Sequence, residues 1–164
     1  MIIKGNVVKL GDNIDTDLII PARYLQIVDI NELKKHVFED LDETLSKRIR
    51  SNTIIIGGEN FGCGSSREQA PRVLKAAGTS AIIAKSFARI FFRNAINLGI
   101  PIFISQNASE NIKDNSKVEI DTQKGTILDL SSKITYRFEP YPPFLENLIK
   151  KGGLIEFVKA TLKK

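Results

Sequence analysis

Residues 57–68 read Gly57-Gly58-Glu59-Asn60-Phe61-Gly62-Cys63-Gly64-Ser65-Ser66-Arg67-Glu68. The run before them, Ile54 to Ile56, is β-branched and short, which is typical of a buried strand. Behind them, apolar residues recur at the helical i, i+3, i+4, i+7 spacing, at Ala70, Val73, Leu74 and Ala77. The glycine-rich stretch is therefore predicted to be a strand-to-helix loop, a place where open α/β sheets usually bind ligands.

This loop has the residue types of an anion-binding site. Its glycines permit tight turns and close backbone approach, and Ser65 or Ser66 is predicted to start the helix. A helix N-terminus carries about half a positive charge, and Arg67 adds a planar cation that matches a carboxylate or a phosphate. Ser65-x-x-Glu68 also fits a capping box, which needs no ligand. The loop alone leaves both interpretations open.

Size and charge set the class of protein. The chain has 164 residues, enough for one domain with a core, and we predict a single domain over 1–164. Its net charge is +5 and its pI is near 9.3. The basic residues are dispersed, and the densest groups are Lys47-Arg48-x-Arg50 and the tail with Lys159, Lys163 and Lys164. Because no aromatic residues are interleaved with them, we predict an acidic small substrate or partner and no nucleic acid.

Cysteine and histidine are too scarce for several kinds of site. Cys63 is the only cysteine, so this chain alone cannot form a disulfide, a cysteine-ligated cluster or a cysteine zinc site. A nucleophile-histidine pair would have to use His36, whose surroundings predict a solvated helical residue. We therefore predict that this chain itself provides no metal site and binds no cofactor.

The amino terminus indicates the compartment. It has no basic leader followed by an apolar core, and no apolar run approaches the ~20 residues that span a bilayer. We expect a cytoplasmic protein with no membrane contact.

The chain before residue 53 is predicted to hold a strand over 2–9, then an acidic turn-rich loop over 11–17. The three aspartates of that loop could form a solvated turn, bind calcium or anchor a nearby arginine. Pro21 ends the next element and begins an exposed loop with Arg23, Tyr24 and Gln26, a mix of side chains that often selects ligands. A helix is predicted from Asp29 to Leu41, with Asp29 or Asn31 as its N-cap, then a short surface helix and linker over 42–52.

The chain after residue 78 is predicted to continue the α/β pattern and then change. A strand at 81–84 follows the helix that comes after the glycine-rich loop. Strand, helix and strand in this order imply that this strand pairs in parallel with the strand over 54–56. Ser86 is predicted to cap a second helix whose phenylalanines belong to the core, and Gly99 to end it. Its Arg89 and Arg93 could reach anions or could be solvated or ion-paired. A strand over 100–104, an antiparallel section over 117–138 and two short helices around Gly152-Gly153 complete the prediction.

Three motifs occur together in this chain. They are Gly11-Asp12-Asn13-Ile14-Asp15-Thr16-Asp17 followed by Pro21, Gly62-Cys63-Gly64-Ser65-Ser66-Arg67-Glu68, and Ala84-Lys85-Ser86-Phe87-Ala88-Arg89-Ile90-Phe91-Phe92-Arg93-Asn94. Their order and spacing resemble those of 3-isopropylmalate dehydratase small subunits, a family similar to the mobile C-terminal domain of aconitase. The resemblance covers essentially the whole chain.

The resemblance implies a fold and a partner. The fold would be α/β, a swivelling β/β/α domain of the aconitase C-terminal type with a parallel strand-helix-strand core and an antiparallel β section. The partner would be a large subunit that carries a [4Fe–4S] cluster, giving a heterodimer, and the isolated chain could form a homo-oligomer. The activity would be that of a hydro-lyase of leucine biosynthesis, which moves a hydroxyl between neighbouring carbons of a hydroxy-dicarboxylic acid.

The resemblance also assigns roles to residues. By analogy Ser65 is the general base that removes a proton from carbon, and Ser66 and Arg67 hold a substrate carboxylate. Thr16 and Asp17 match a loop that lines the same pocket, where Asp17 would orient Ser65 or an arginine.

Substrate choice is implied by the loop around Tyr24. In related enzymes the two residues after the Tyr-Leu pair face the variable substituent, and here they are Gln26 and Ile27. The absence of a cation at these two positions favours isopropyl or methyl over a carboxyalkyl group, although Arg23 is near in sequence. A citramalate-type dehydratase, a homoaconitase small subunit and a non-catalytic anion-binding module are the alternatives.

Overall fold

Seven strands form one mixed sheet in the computed structural model, which describes residues 1–162. The strands are β1 Ile2–Lys9, β2 Thr53–Ile56, β3 Thr79–Ala84, β4 Ile102–Ile104, β5 Lys117–Asp121, β6 Thr126–Asp129 and β7 Ile134–Arg137. Their order is β4-β3-β2-β1-β5-β6-β7. β1 to β4 pair in parallel, and β1 pairs antiparallel with β5, which begins the antiparallel meander to β7. The predicted parallel core with an antiparallel section is confirmed.

Eight α-helices accompany the sheet in the described residues. They are α1 Thr16–Ile19, α2 Ile30–Leu33, α3 Leu45–Arg48, α4 Gln69–Ala77, α5 Arg89–Asn97, α6 Gln106–Asn111, α7 Pro143–Lys150 and α8 Leu154–Leu162. Two 3₁₀ turns lie at Ala22–Tyr24 and Lys34–His36. No helix within residues 1–162 combines the length and the apolar composition needed to cross a bilayer. Lys163 and Lys164 of the predicted basic tail lie outside the described residues.

The parallel strands are buried because both faces of their half of the sheet are covered. Side chains of a strand alternate between faces, so Ile55 packs with Leu74 and Phe91 on one side. Ile54 and Ile56 pack on the other side, with the core that continues under the antiparallel strands. All four residues of β2 are buried, as the β-branched run predicts.

The helix predicted from Asp29 to Leu41 is wrong in extent. Asp29 does cap α2, accepting a hydrogen bond from the Asn31 N–H at 2.8 Å, but the helix ends at Leu33. Phe38 has φ +58° and its N–H donates to the carbonyl of Ile19. The chain turns inward here because Phe38 is fully buried, a tertiary contact that local periodicity does not report.

The helix α6 is not predicted by the sequence pattern. It is six residues long and mostly polar, so its apolar periodicity is weak. Tertiary contacts hold it in place, because Ala108 and Ser109 are buried and the Ser109 hydroxyl donates to the carbonyl of Gly57 at 2.6 Å.

Thr79, the first residue of β3, has a buried hydroxyl without a hydrogen-bond partner in residues 1–162. Thr79→Val keeps the shape of the side chain and removes the unpaired polar atom. We expect its free energy of unfolding to rise by about 1 kcal/mol, as measured by urea denaturation.

Thr122 supplies the control for Thr79, because it is also buried but its hydroxyl is paired. Its Oγ1 lies 3.1 Å from the Met1 carbonyl oxygen and 3.0 Å from Glu146 Oε1. Thr122→Val is expected to lower the free energy of unfolding by about 1 kcal/mol. A loss of stability in both variants would contradict the assignment of an unpaired hydroxyl at Thr79.

Candidate active site

Three loops meet beyond the carboxyl ends of β1, β2 and β3. The Gly62 N–H donates to the Ile14 carbonyl at 2.7 Å, and the Thr16 N–H donates to the Cys63 carbonyl at 2.9 Å. On the other side of the same loop, the Ala88 N–H donates to the Phe61 carbonyl at 2.9 Å. These parallel bridges continue the sheet pairing into the loops, so residues distant in sequence are held in one rigid arrangement.

A cleft of about 210 Å³ opens where the three loops meet. One wall is the loop after β2, and the opposite wall is formed by Ala88 and by α5 from Arg89 to Asn94. The lining residues are Thr16, Gly62, Gly64, Ser65, Ser66, Arg67, Ala88, Arg89, Ile90, Phe91 and Asn94. The structure therefore brings together four of the predicted site residues, which are Thr16, Ser65, Ser66 and Arg67.

Ser65 is held through its backbone and leaves its side chain free. Its carbonyl accepts a hydrogen bond from the Oγ1 of buried Thr16 at 3.0 Å. Gly64 before it has φ +88°, a conformation that favours glycine. The Ser65 side chain is exposed to the cleft, and no group in residues 1–162 hydrogen-bonds to its hydroxyl. A reactant entering the cleft can therefore reach this hydroxyl directly.

Arg67 is the cation on the loop side of the cleft, and it pairs with Asp17. Arg67 Nη1 lies 2.5 Å from Asp17 Oδ1, and only 18% of the arginine side chain is exposed, against 58% for the aspartate. Of the two roles predicted for Asp17, the structure supports the pairing with an arginine. A half-buried guanidinium held at one end can present its remaining N–H groups to a carboxylate.

The other aspartates of this loop also have structural roles. Asp12 Oδ1 accepts from the Glu59 N–H at 2.7 Å, and Asp15 caps α1 by accepting from the Leu18 N–H at 2.8 Å. No group of three or more His, Cys, Asp or Glu residues that could hold a metal ion occurs within residues 1–162. Of the three roles predicted for the aspartates of this loop, the described residues support the anchoring of an arginine, which Asp17 does for Arg67.

The prediction that Ser65 or Ser66 starts the next helix is wrong, and the helix that faces the cleft is α5. α4 begins at Gln69, and Glu68 at its N-cap position makes no side-chain capping bond, so the capping box is also absent there. A helix capped by Ser65 would need the Ser65 carbonyl to accept from the Gln69 N–H, but this carbonyl accepts from Thr16 Oγ1 at 3.0 Å and from the Arg67 N–H at 2.8 Å. The N-terminus of α4 therefore does not supply the partial positive charge that the sequence predicts at Ser65.

The first turn of α5 opens into the cleft instead. Ser86 does not cap α5, since its Oγ accepts from the Asn60 N–H at 2.7 Å. Ala88 takes the N-cap position and has no side-chain cap, so the N–H groups of the first turn have no acceptor among residues 1–162. Their partial positive charge adds to that of Arg67.

Cys63 lies beside the cleft but is not poised to react. Burial raises the pKa of its thiol, and the nearby Asp15 carboxylate acts in the same direction. The thiol is therefore protonated near neutral pH and a poor nucleophile.

Arg23 and Tyr24 are absent from the cleft lining and belong to a separate polar cluster. Arg23 makes a two-pronged pair with Asp40, at 2.9 and 2.6 Å, and the Tyr24 hydroxyl donates to Glu39 at 2.7 Å. His36 stacks on Tyr24 and lies 2.5 Å from Glu39. The hydrogen bonds from Tyr24 and His36 hold the pKa of Glu39 below its usual value. The cluster fixes this loop to the segment that follows α2.

Gln26 and Ile27 are also outside the cleft lining in this chain. Gln26 is exposed, and Ile27 is half-buried against the apolar core. Their predicted contact with the substituent of a substrate stays a prediction.

The wall formed by α5 contains residues that the sequence analysis did not assign to the site. The sequence leaves Arg89 open as an anion contact or as a solvated or ion-paired residue, and it gives no signal that Ile90 or Asn94 lines a site. Ile90 and Asn94 are one helical turn apart, a spacing that places them on the same face. The helical pattern groups Ile90 with the core-facing residues of α5, whereas its side chain is 51% exposed and lines the cleft.

The fold and the cleft define a domain of the aconitase C-terminal class. The family model of the aconitase C-terminal domain matches residues 43–107, which include both walls of the cleft. Full-length relatives are more specific. The 3-isopropylmalate dehydratase small subunit of Caldicellulosiruptor bescii is 52% identical over 164 residues, covering 100% of this chain and 99% of that protein. The corresponding small subunit of Thermodesulfovibrio yellowstonii is 53% identical, covering 99% and 96%.

A solved structure agrees with these relatives. The crystal structure of 3-isopropylmalate dehydratase from Methanocaldococcus jannaschii matches with a TM-score of 0.93 and 44% identity, over 98% of this chain and 95% of that chain. The chain described here belongs to the family of 3-isopropylmalate dehydratase small subunits.

Proposed function

We propose that this chain is the small subunit of a 3-isopropylmalate dehydratase, a cytoplasmic hydro-lyase of leucine biosynthesis that is active only with its large subunit. The whole chain would act as one swivel domain that closes the cleft against the partner. The observation that carries the proposal is the pairing of an accessible Ser65 hydroxyl with the Arg67 guanidinium in one cleft. Family membership with relatives about half identical over the full length supports it.

The proposed reaction interconverts 2-isopropylmalate and 3-isopropylmalate through 2-isopropylmaleate. In the dehydration, Ser65 Oγ takes the proton from the carbon next to the hydroxyl-bearing carbon. The electron pair of that C–H bond forms the double bond, and the C–O bond breaks with its electron pair going to the hydroxyl, which takes up a proton from solvent and leaves as water. Ser65 later returns its proton to solvent, so that the elements of water are lost in balance. Rehydration adds a proton and a hydroxyl in the opposite orientation, so no oxidant or reductant is needed.

Ser65 must be ionised to act as this base, and an alkoxide is unfavourable in water. Arg67 and the first turn of α5 provide positive potential on the two sides of the cleft. Closure by the large subunit would exclude water and strengthen both effects. We propose that Arg67 and Ser66 also hold one substrate carboxylate, with Thr16 and Asp17 fixing the loop and the arginine.

The residues of this chain do not fit a metal cluster, because the chain has one cysteine and one histidine. Iron–sulfur clusters are normally held by several cysteine thiolates. We therefore assign the [4Fe–4S] cluster to the large subunit, where it would supply a Lewis acid for departure of the hydroxyl.

The loop around Tyr24 favours an apolar substituent on the substrate. Arg23 is its only cation, and Asp40 already pairs with both ends of the Arg23 guanidinium. We propose that Gln26 and Ile27 face the substituent in the closed complex. Without a free cation nearby, isopropyl or methyl is expected to be accepted better than a carboxyalkyl group.

Reconstitution with a cluster-bearing large subunit tests this function. We expect hydration of 2-isopropylmaleate by the complex and none by the isolated chain. A panel with citramalate-type and homocitrate-type acids should show the highest kcat/KM for the isopropyl compound. Preference for the homocitrate-type acid would contradict the substrate assignment. Tight dicarboxylate binding by the isolated chain, without turnover in the complex, would support the anion-binding module instead.

A further inference from the structure

The cleft has two walls, and the proposed chemistry uses the groups of only one. Ser65, Ser66 and Arg67 all lie on the loop after β2. The opposite wall, α5 from Arg89 to Asn94, contributes Arg89 and Asn94 as its polar side chains. Since both walls line one cleft of about 210 Å³, a dicarboxylate bound there can contact both.

Asn94 is a half-buried polar side chain with unused hydrogen-bonding capacity. Its carboxamide can donate two hydrogen bonds and accept two. No group in residues 1–162 hydrogen-bonds to that side chain, which lines the cleft and is partly exposed. Its carboxamide is therefore free to pair with a ligand in the cleft. By comparison, the exposed Asn111 on α6 does have a partner, because its side-chain amide donates to the Asn107 carbonyl at 2.9 Å.

The charges around the cleft also favour a second anion contact on the α5 wall. The charge of Arg67 is already balanced by Asp17 at 2.5 Å. Arg89, which also lines the cleft, makes no ion pair with a carboxylate among residues 1–162, so the α5 wall carries a positive charge that no neighbouring carboxylate offsets. The substrate class of the proposed function has two carboxylates, and Arg67 matches only one of them.

We propose that Asn94 is a further substrate-binding residue, whose carboxamide donates a hydrogen bond to the carboxylate that Arg67 does not hold. This inference rests on the proposed function, since it takes a dicarboxylate as the ligand. Arg89 supports the same carboxylate by charge at longer range. Asn94 thereby fixes the substrate across the cleft, with its acidic C–H bond toward Ser65.

Asn94→Ala and Asn94→Asp in the reconstituted complex test this role. We expect Asn94→Ala to raise the KM for 2-isopropylmalate about tenfold, with a smaller change in kcat, because a hydrogen bond to a charged group is lost. Asn94→Asp keeps the shape but places a negative charge beside the carboxylate, so its KM should rise further. A residue that served only packing would give the opposite order, with the isosteric aspartate tolerated better than alanine.

Asn97→Ala is the matched control, since Asn97 lies one turn further along α5, is exposed and is not part of the cleft lining. Its kinetics should equal those of the wild type. An unchanged KM in Asn94→Ala would overturn the role of Asn94 and leave the proposed function standing. Loss of assembly in both Asn94 variants, seen by size-exclusion chromatography, would do the same. An inactive wild-type complex would instead contradict the proposed function, and the inference with it.

Discussion

Replacing Ser65 with alanine is expected to lower the kcat of the reconstituted complex about 10²–10⁴-fold, the usual contribution of a general base. The physical reason is that neither the histidine nor the cysteine within residues 1–162 is placed to take over the proton. The only histidine, His36, is stacked on Tyr24 and paired with Glu39 outside the cleft. Cys63 stays protonated near neutral pH because burial raises its pKa. The measurement is turnover of 2-isopropylmalate at saturating substrate.

The fold and the assembly should survive this change, because the Ser65 hydroxyl makes no hydrogen bond within residues 1–162. The contact that holds the loop is the Ser65 carbonyl with Thr16 Oγ1, and alanine retains the carbonyl. Ser51→Ala, at an exposed turn before β2, is the control and should keep full activity. Full turnover by Ser65→Ala in an assembled complex would refute the general-base role.

Gly62→Ala is expected to lower the free energy of unfolding by about 2–4 kcal/mol. A Cβ on Gly62 would lie 2.1 Å from Phe91 Cγ and 2.4 Å from Phe91 Cβ. Phe91 is buried between Phe61 and Phe87, so it cannot move aside without disturbing the core. Gly62 also has φ +80°, which adds backbone strain for alanine. Urea denaturation of the isolated chain measures the effect.

Gly11→Ala provides the comparison for Gly62. It lies in the loop after β1, at the same end of the sheet, but a Cβ there would meet no atom within 4 Å. Its stability should remain within about 0.5 kcal/mol of the wild type. If the two glycine variants were equally stable, the close packing of the loop against α5 would not be the reason for a glycine at position 62.

The sequence was informative wherever function follows from residue type or local pattern. The β-branched run before the loop predicted β2, and the alternating segments predicted the antiparallel section. The residues Thr16, Ser65, Ser66 and Arg67 were assigned to one pocket by their resemblance to a family, and the structure places them in one cleft. Their individual roles in catalysis stay predictions.

The starts of α4 and α5 could not be predicted because nonlocal hydrogen bonds decide them. Ser65 and Ser86 are both good N-cap residues, yet neither caps a helix. Ser86 instead accepts from Asn60, 26 residues earlier, and the backbone of 62–64 is committed to the loop after β1. Capping preferences describe a helix end in isolation and carry no information about such partners.

The sequence by itself determined the chemical inventory of this protein. With one cysteine and one histidine it leaves serine and arginine for the chemistry of its central loop, and it cannot supply the several cysteine thiolates that normally hold an iron–sulfur cluster. Only the tertiary structure decided that α5 forms the second wall of the cleft and brings Arg89 and Asn94 opposite Ser65. The reason is physical, since periodicity reports which face of a helix is buried, whereas the partner across a cavity is set by hydrogen bonds between loops distant in the chain.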